Sequence, residues 1–248
     1  MTTDPDFNFN TKWHIIICQM LMIQKILRLH RFLSSQLFYP ILLSSGLAIS
    51  IYLVRVFVSS SYVVYANLMW NLFLAWIPYL FSMLVAVIHR DLPRQWWWLL
   101  IPGLIWLVFF PNAPYLVTDF LHLEKRPFIP IWYDILLLAS FSWTGIFLAI
   151  TSLRTMQTII KDYLGVAVSW FFAGFALSLS GLGIYLGRFE RWNSWDLLFH
   201  PKSILVDIAK RFLNPFDHLG FFGFTILFTA FLVICYWMFV SLRHLELD

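Results

Sequence analysis

The first polar motif, residues 111–122, places one tyrosine, one aspartate and one histidine at helical spacing after the proline at 111 and beside the proline at 114. If Asn112 caps a short helix there, Tyr115, Asp119 and His122 occupy positions i, i+4 and i+7 on one helix face. The two prolines favour extended backbone at the residue before each and predict that the preceding helix stops at this point. Such a face suits a polar ligand or acid–base chemistry. The alternative interpretation is an interfacial helix whose polar side faces water and forms no site.

A second polar motif, residues 183–196, begins at the end of the fifth charge-free stretch and contains Arg188. A helix continuing through the motif would align Arg188 with Trp192. An arginine at the edge of the hydrocarbon layer needs a carboxylate or a phosphate. Candidate partners are Asp119, Asp134 and Asp196 within the chain, and a lipid phosphate or an anionic substrate outside it. The alternative interpretation is a structural salt bridge that holds the third, fourth and fifth spans together.

Both motifs lie at the ends of long charge-free stretches. Six stretches contain no Asp, Glu, Lys or Arg, and the shortest holds 19 residues. A helix rises ~1.5 Å per residue, so each stretch is long enough to cross a hydrocarbon layer of ~30 Å. The charge-free stretches are 32–54, 56–88, 95–118, 135–153, 163–187 and 219–242.

The predicted fold is therefore all-α, a polytopic membrane bundle of six transmembrane helices. An N-terminal amphipathic helix at 13–33 and interfacial helices in the loops after spans 3 and 5, the latter at 203–213, should lie on the membrane surface. Arg55, near the end of the first span, is expected to extend its side chain to the interface. The predicted spans are 37–58, 68–88, 96–110, 135–153, 163–185 and 221–239.

The predicted organisation has three parts: an N-terminal polar tail with its surface helix at 1–36, one membrane domain at 37–242 and a short polar tail at 243–248. Because odd-numbered spans all end on the same side, both motifs should meet on one membrane face. Lys and Arg number eight on that side and nine on the other. The basic cluster before the first span favours a cytoplasmic amino terminus and extracytoplasmic motif loops, in a bacterial cell membrane.

Composition excludes a soluble domain, because 60% of the residues are hydrophobic and 12% are charged. The net charge of +4 is carried beside apolar spans, which indicates attraction to lipid headgroups and no nucleic-acid partner. Cys18 and Cys235 lie far apart in apolar segments, so no disulfide framework is expected. The sequence predicts no cofactor and no metal site.

The motifs together resemble the bacterial membrane family catalogued as domain of unknown function 1361, over roughly residues 42–242. The resemblance implies a multi-span membrane protein and brings no activity, substrate or cofactor. It is carried by Pro111-Asn112-Ala113-Pro114-Tyr115 with Thr118-Asp119, by Trp132-Tyr133-Asp134, by Gly187-Arg188-Phe189, and by Arg191-Trp192-Asn193-Ser194-Trp195-Asp196.

Three classes of function remain. The first is a binding or assembly protein whose polar cluster receives a lipid headgroup, an anionic ligand or a partner subunit. The second is an interfacial enzyme acting on a lipid-like or phosphate-bearing substrate, although the sequence carries no known catalytic signature. The third is a passive transporter or channel for a neutral solute, because no acid or base lies at mid-depth. The predicted ligand-binding residues are Asn112, Tyr115, Asp119, His122, Asp134, Tyr185, Arg188, Arg191, Asn193, Trp195 and Asp196.

Overall fold

A computed structural model describes residues 5–59, 65–126 and 129–245, and its regular structure in these ranges is helical. The predicted all-α class is confirmed. Six helical segments are long and apolar enough to cross a membrane, as judged by length and composition, and these match the six predicted spans. They are Phe38–Ser59, Ala66–Asp91, Trp96–His122, Ile131–Leu164, Val166–Phe189 and Pro215–Leu242.

The helices follow one another with short connections. Residues 1–4 of the predicted N-terminal part (1–36) and residues 246–248 of the predicted C-terminal tail (243–248) lie outside the described residues, as do 60–64 and 127–128 in the connections. The α-helices are α1 (Pro5–Ser35), α2 (Phe38–Ser59), α3 (Ala66–Asp91), α4 (Leu100–Phe109), α5 (Asn112–Tyr115), α6 (Ile131–Leu164), α7 (Val166–Phe189), α8 (Asp196–Phe199), α9 (Pro201–Leu213) and α10 (Leu219–Leu245). Three 3-10 helices add Trp96–Leu99, Leu116–His122 and Pro215–His218.

The chain divides into two compact units, Met1–Leu42 and Leu43–Asp248. The first holds α1 and the start of α2. Within it, His30 Nδ1 and the Tyr39 hydroxyl lie 2.8 Å apart and share a hydrogen bond. In the second unit α6 is central, because 61% of its apolar window is buried, against 17% for the last span. Helix α6 contacts α3, α7 and the 3-10 helix Leu116–His122.

The prolines were predicted to stop the third helix, and α4 does end at Phe109. The candidate span continues past the predicted end at Phe110 to His122 through two further short helices. Extended backbone before each proline was predicted and is wrong. Phe110 has helical φ and ψ of −54° and −39°, and Ala113 lies inside α5. Both prolines fall at the start of a new helix. Backbone N–H groups there have no intrahelical acceptor, so the missing N–H of proline costs no helical hydrogen bond. Burial on α6 then favours the helical path, since Ala113 and Leu116 are fully buried.

The fifth span also differs from its predicted limits. Tyr163 belongs to α6, and the chain turns at Gly165, whose φ of 86° suits glycine. Helix α7 ends at Phe189, so the predicted continuation of the helix to Trp192 is wrong. Arg191 adopts a left-handed φ of 61°. The backbone N–H of Trp192 donates to the Leu186 carbonyl at 3.1 Å, which turns the chain back over the end of α7.

Candidate ligand-binding site

Arg188 at the end of α7 joins the two motifs. Its Nη2 donates to Asp119 Oδ1 at 2.6 Å and to Thr118 Oγ1 at 2.7 Å. Its Nε donates to the same threonine oxygen at 2.9 Å, and its Nη1 lies 2.8 Å from His122 Nε2. The guanidinium carbon stands 4.2 Å from the centre of the Tyr115 ring. Because guanidinium only donates, the His122 nitrogen is the acceptor of its bond.

This ion pair is closed to solvent. The side chains of Arg188 and Asp119 are 9% and 4% exposed. The amide of Asn71 on α3 also donates to both Asp119 oxygens, at 3.4 Å and 3.2 Å. Opposite charges in contact within a buried site satisfy each other. Arg188 is therefore already engaged by groups of the protein, with Asp119 as the partner among the three candidate aspartates.

Asp134 belongs to a second buried ion pair. Arg55 donates to it from Nε at 2.6 Å and from Nη2 at 3.1 Å, and both side chains are 1% exposed. The expectation that Arg55 extends to the interface is wrong, because Asp134 on α6 accepts a bidentate pair of hydrogen bonds from it inside the bundle. The Tyr65 ring lies 4.8 Å from the Arg55 guanidinium carbon. Burial raises the pKa of the Tyr65 phenol above its usual value, and the Asp134 carboxylate raises it further.

Tyr185 packs in an aromatic cluster between α7 and α10. Its ring centre is 5.0 Å from that of Phe221 and 5.8 Å from that of Phe224. The Arg211 guanidinium of α9 lies 5.8 Å from the Tyr185 ring and pairs with Glu190 at 2.9 Å. Tyr185 thus connects α7, α9 and α10 through the contacts of its ring.

The other polar residues of the second motif shape its loop. Asp196 accepts the Asn193 backbone N–H at 2.7 Å and the Asn193 side-chain amide at 3.3 Å. Arg191 is exposed, and within the described part of the chain it makes no hydrogen bond or ion pair. The bonds to Asp196 hold Asn193 at the start of the segment that leads into α8.

A groove of about 320 Å³ lies beside the ion pair, between α3, α4 and α7. The lining is completed by Pro111, Asn112, Tyr115, residues 192–195, Leu197 and α9. Leu107 and Val108 of α4 and Leu182 of α7 contribute apolar walls, and three tryptophans, Trp70, Trp192 and Trp195, line it further. Trp70 is 53% exposed.

The polar part of the groove is uncharged. Asn112 Nδ2 donates to the Phe109 carbonyl at 2.9 Å and to Ser194 Oγ at 2.8 Å, which ties the first motif to the second. Asn71, Asn193 and the Tyr115 ring also line it. None of the described groove-lining residues is Asp, Glu, Lys, Arg or His.

Four predicted residues thus line the groove and three form the ion pair cluster beside it, with Tyr115 in contact with both. Four others lie elsewhere. Sequence reasoning did not select Asn71, Thr118 or Ser194, although Asn71 is an amide within a charge-free stretch and the other two lie in the motifs. The groove residues are Asn112, Tyr115, Asn193 and Trp195; the cluster residues are Asp119, His122 and Arg188; the others are Asp134, Tyr185, Arg191 and Asp196.

Across the described residues, no three His, Cys, Asp or Glu side chains are grouped to hold a metal ion. The family model described as "Protein of unknown function (DUF1361)" matches residues 70–235, more than half of the chain. The match includes both motifs and all the groove-lining residues. No curated protein and no solved structure matches the chain.

Proposed function

Since the chain belongs to the DUF1361 family, whose description assigns no activity, we propose from the geometry of the site that this multi-pass membrane protein binds an amphipathic, lipid-like molecule in the groove. The apolar part of the ligand lies against α4 and α7. Its headgroup lies at the polar residues of the two motifs. Ligand sites are commonly apolar clefts with a few well-placed polar groups, and this groove has that composition.

The observation that carries the proposal is the joining of both motifs at one groove through the bond from Asn112 to Ser194. Arg188 was predicted to bind an anionic group, but Asp119 already neutralises its charge in a salt bridge. Binding therefore depends on the groove lining. The interfacial enzyme, the partner subunit and the passive transporter remain hypotheses without a specific geometric observation in their favour.

We also propose a bacterial cell membrane as the location, with the amino terminus in the cytoplasm and the motif loops outside. The basic residues before the first span support this orientation. A ligand in the groove would then lie with its headgroup near the outer membrane surface.

A single bulky substitution tests the groove. Leu107→Trp adds an indole to the groove wall, whereas Leu104→Trp, one turn earlier on α4, changes a side chain that is 61% exposed and is not part of the lining. The proteins are purified in mild detergent, and bound lipids are extracted and quantified by mass spectrometry. We expect the wild type and Leu104→Trp to retain the same lipid, and Leu107→Trp to retain about tenfold less, equivalent to ~1.4 kcal/mol of binding free energy.

Equal thermal stability of the two variants shows that the loss comes from the groove and not from unfolding. Equal lipid retention by Leu107→Trp and Leu104→Trp, with both proteins folded, would overturn the proposal.

A further inference from the structure

We infer that the groove selects an uncharged headgroup that bears a free hydroxyl group, as in a diacylglycerol. This inference rests on the proposed function, because it names the chemical class of the ligand in the same groove. It follows from two properties of the lining, its lack of charge and the orientation of its amide groups.

The lack of charge disfavours phosphate headgroups. The described lining residues carry no charged side chain, and the nearby Arg188 is engaged by Asp119, Thr118 and His122. Moving an ion out of water without a counter-charge is strongly unfavourable. A lipid phosphate in the groove would lose hydration and gain no cation. An uncharged headgroup avoids this penalty.

The orientation of three groove amides is fixed by what their nitrogens bond. Asn71 Nδ2 faces the Asp119 carboxylate, and Asn193 Nδ2 faces the Asp196 carboxylate. Asn112 Nδ2 faces the Phe109 carbonyl. A carboxylate or a carbonyl only accepts, so turning any of these amides over would set two acceptors against each other.

The three amide oxygens are consequently left as acceptors. Within the described residues, the side-chain hydrogen bonds of Asn71, Asn112 and Asn193 all use their Nδ2 groups. Hydroxyl groups donate, so they satisfy these oxygens. A headgroup that offers only ester or quinone carbonyls would face them acceptor to acceptor, and leaving a polar group unpaired costs about 1–3 kcal/mol.

Ser194 contributes the complementary group. Its Oγ accepts from Asn112 Nδ2, which leaves the hydroxyl hydrogen free to point to another acceptor. A ligand hydroxyl both donates and accepts. It can therefore meet an amide oxygen and the Ser194 hydrogen together.

Three lipids with the same acyl chains separate these requirements. Dioleoylglycerol has a free hydroxyl, its 3-O-methyl ether lacks the donor, and dioleoyl phosphatidic acid adds charge. The full-length protein in phosphatidylcholine nanodiscs is photolabelled with a diazirine-bearing diacylglycerol, and each unlabelled lipid competes. We expect dioleoylglycerol to compete about tenfold better than either other lipid, the ratio expected for one lost hydrogen bond or an unpaired charge.

A matched pair of variants checks the amide oxygens. Asn193→Leu removes one acceptor while the backbone bond from residue 193 to Asp196 can persist, and we expect about fivefold weaker labelling. Asn214→Leu changes an exposed asparagine outside the lining and should label like the wild type.

The outcomes separate the two proposals. Labelling that Leu107→Trp abolishes, with equal competition by all three lipids or with phosphatidic acid strongest, overturns the headgroup inference and leaves lipid binding in place. Absence of diacylglycerol labelling also overturns the inference. Retention of the native co-purified lipid by Leu107→Trp overturns the proposed function itself.

Discussion

Replacing Asp119 by asparagine removes the charge that Arg188 faces while keeping the side-chain shape. The two side chains are 9% and 4% exposed, so water cannot readily replace the lost carboxylate. Removing one partner of a buried pair costs about 3–5 kcal/mol. We expect the lower part of that range, ~3 kcal/mol, because Thr118, His122 and the Tyr115 ring still contact the guanidinium.

A double-variant cycle isolates the interaction. Arg188→Met and Asp119→Leu should each lower stability more than the exposed-pair control Asp91→Asn, whose pair has side chains 58% and 56% exposed. The double variant leaves no unpaired charge, so it should be more stable than the sum of the single changes predicts, by about 1–3 kcal/mol. The free energy of unfolding is measured in mixed micelles of increasing sodium dodecyl sulfate content, followed by circular dichroism.

Two results would refute the reasoning. One is a shift for Asp119→Asn no larger than that for Asp91→Asn, which would mean that water screens the Arg188 pair. The other is strict additivity in the cycle, which would mean that the two side chains contribute to stability independently.

Three further predictions test the packing, the cluster and the orientation. Gly145→Ala should cost about 1–3 kcal/mol of unfolding free energy, since a methyl group there would overlap the α5 backbone, whereas Gly174→Ala meets no atom within 4 Å and should be tolerated. His122→Ala should cost about 1 kcal/mol in the same unfolding assay, the value of one hydrogen bond. In a cysteine-free background, a membrane-impermeant maleimide should label Phe199→Cys in intact cells and label Arg94→Cys only after lysis; the reverse pattern would place the motifs in the cytoplasm.

The spans were predictable because their information is local. An uninterrupted charge-free stretch specifies a membrane helix by length alone, and the parity of crossings then puts the two motifs on one side. The choice of ion-pair partners was not predictable in this way. The sequence offers several aspartates as partners for Arg55 and Arg188. Which aspartate each arginine pairs with depends on which helix faces are in contact. The contact between Asp119 and Arg188 depends on the helical conformation of residues 111–122, whereas the two prolines had favoured extended backbone there.

The groove was also beyond prediction, because it is formed by a turn that no sequence rule requires. Arg191 takes a left-handed conformation that is uncommon for a residue other than glycine. As a result Trp192 and Ser194 fold back to line the groove. The sequence supported a continued helix equally well, and in that arrangement Ser194 would not meet Asn112.

The structural and the ligand-binding interpretations of the Arg188 motif are compatible, because the ion pair orients groove residues. Asp119 accepts from the Asn71 amide nitrogen and so orients that amide, and Arg188 lies against the Tyr115 ring; Asn71 and Tyr115 both line the groove. Because Arg188 and Asp119 neutralise each other, the pair adds no net charge to the site. It still holds Asn71 and Tyr115 in position. A membrane protein that recognises an uncharged headgroup needs that combination, since an unpaired cation at the same position would attract the abundant anionic lipids instead.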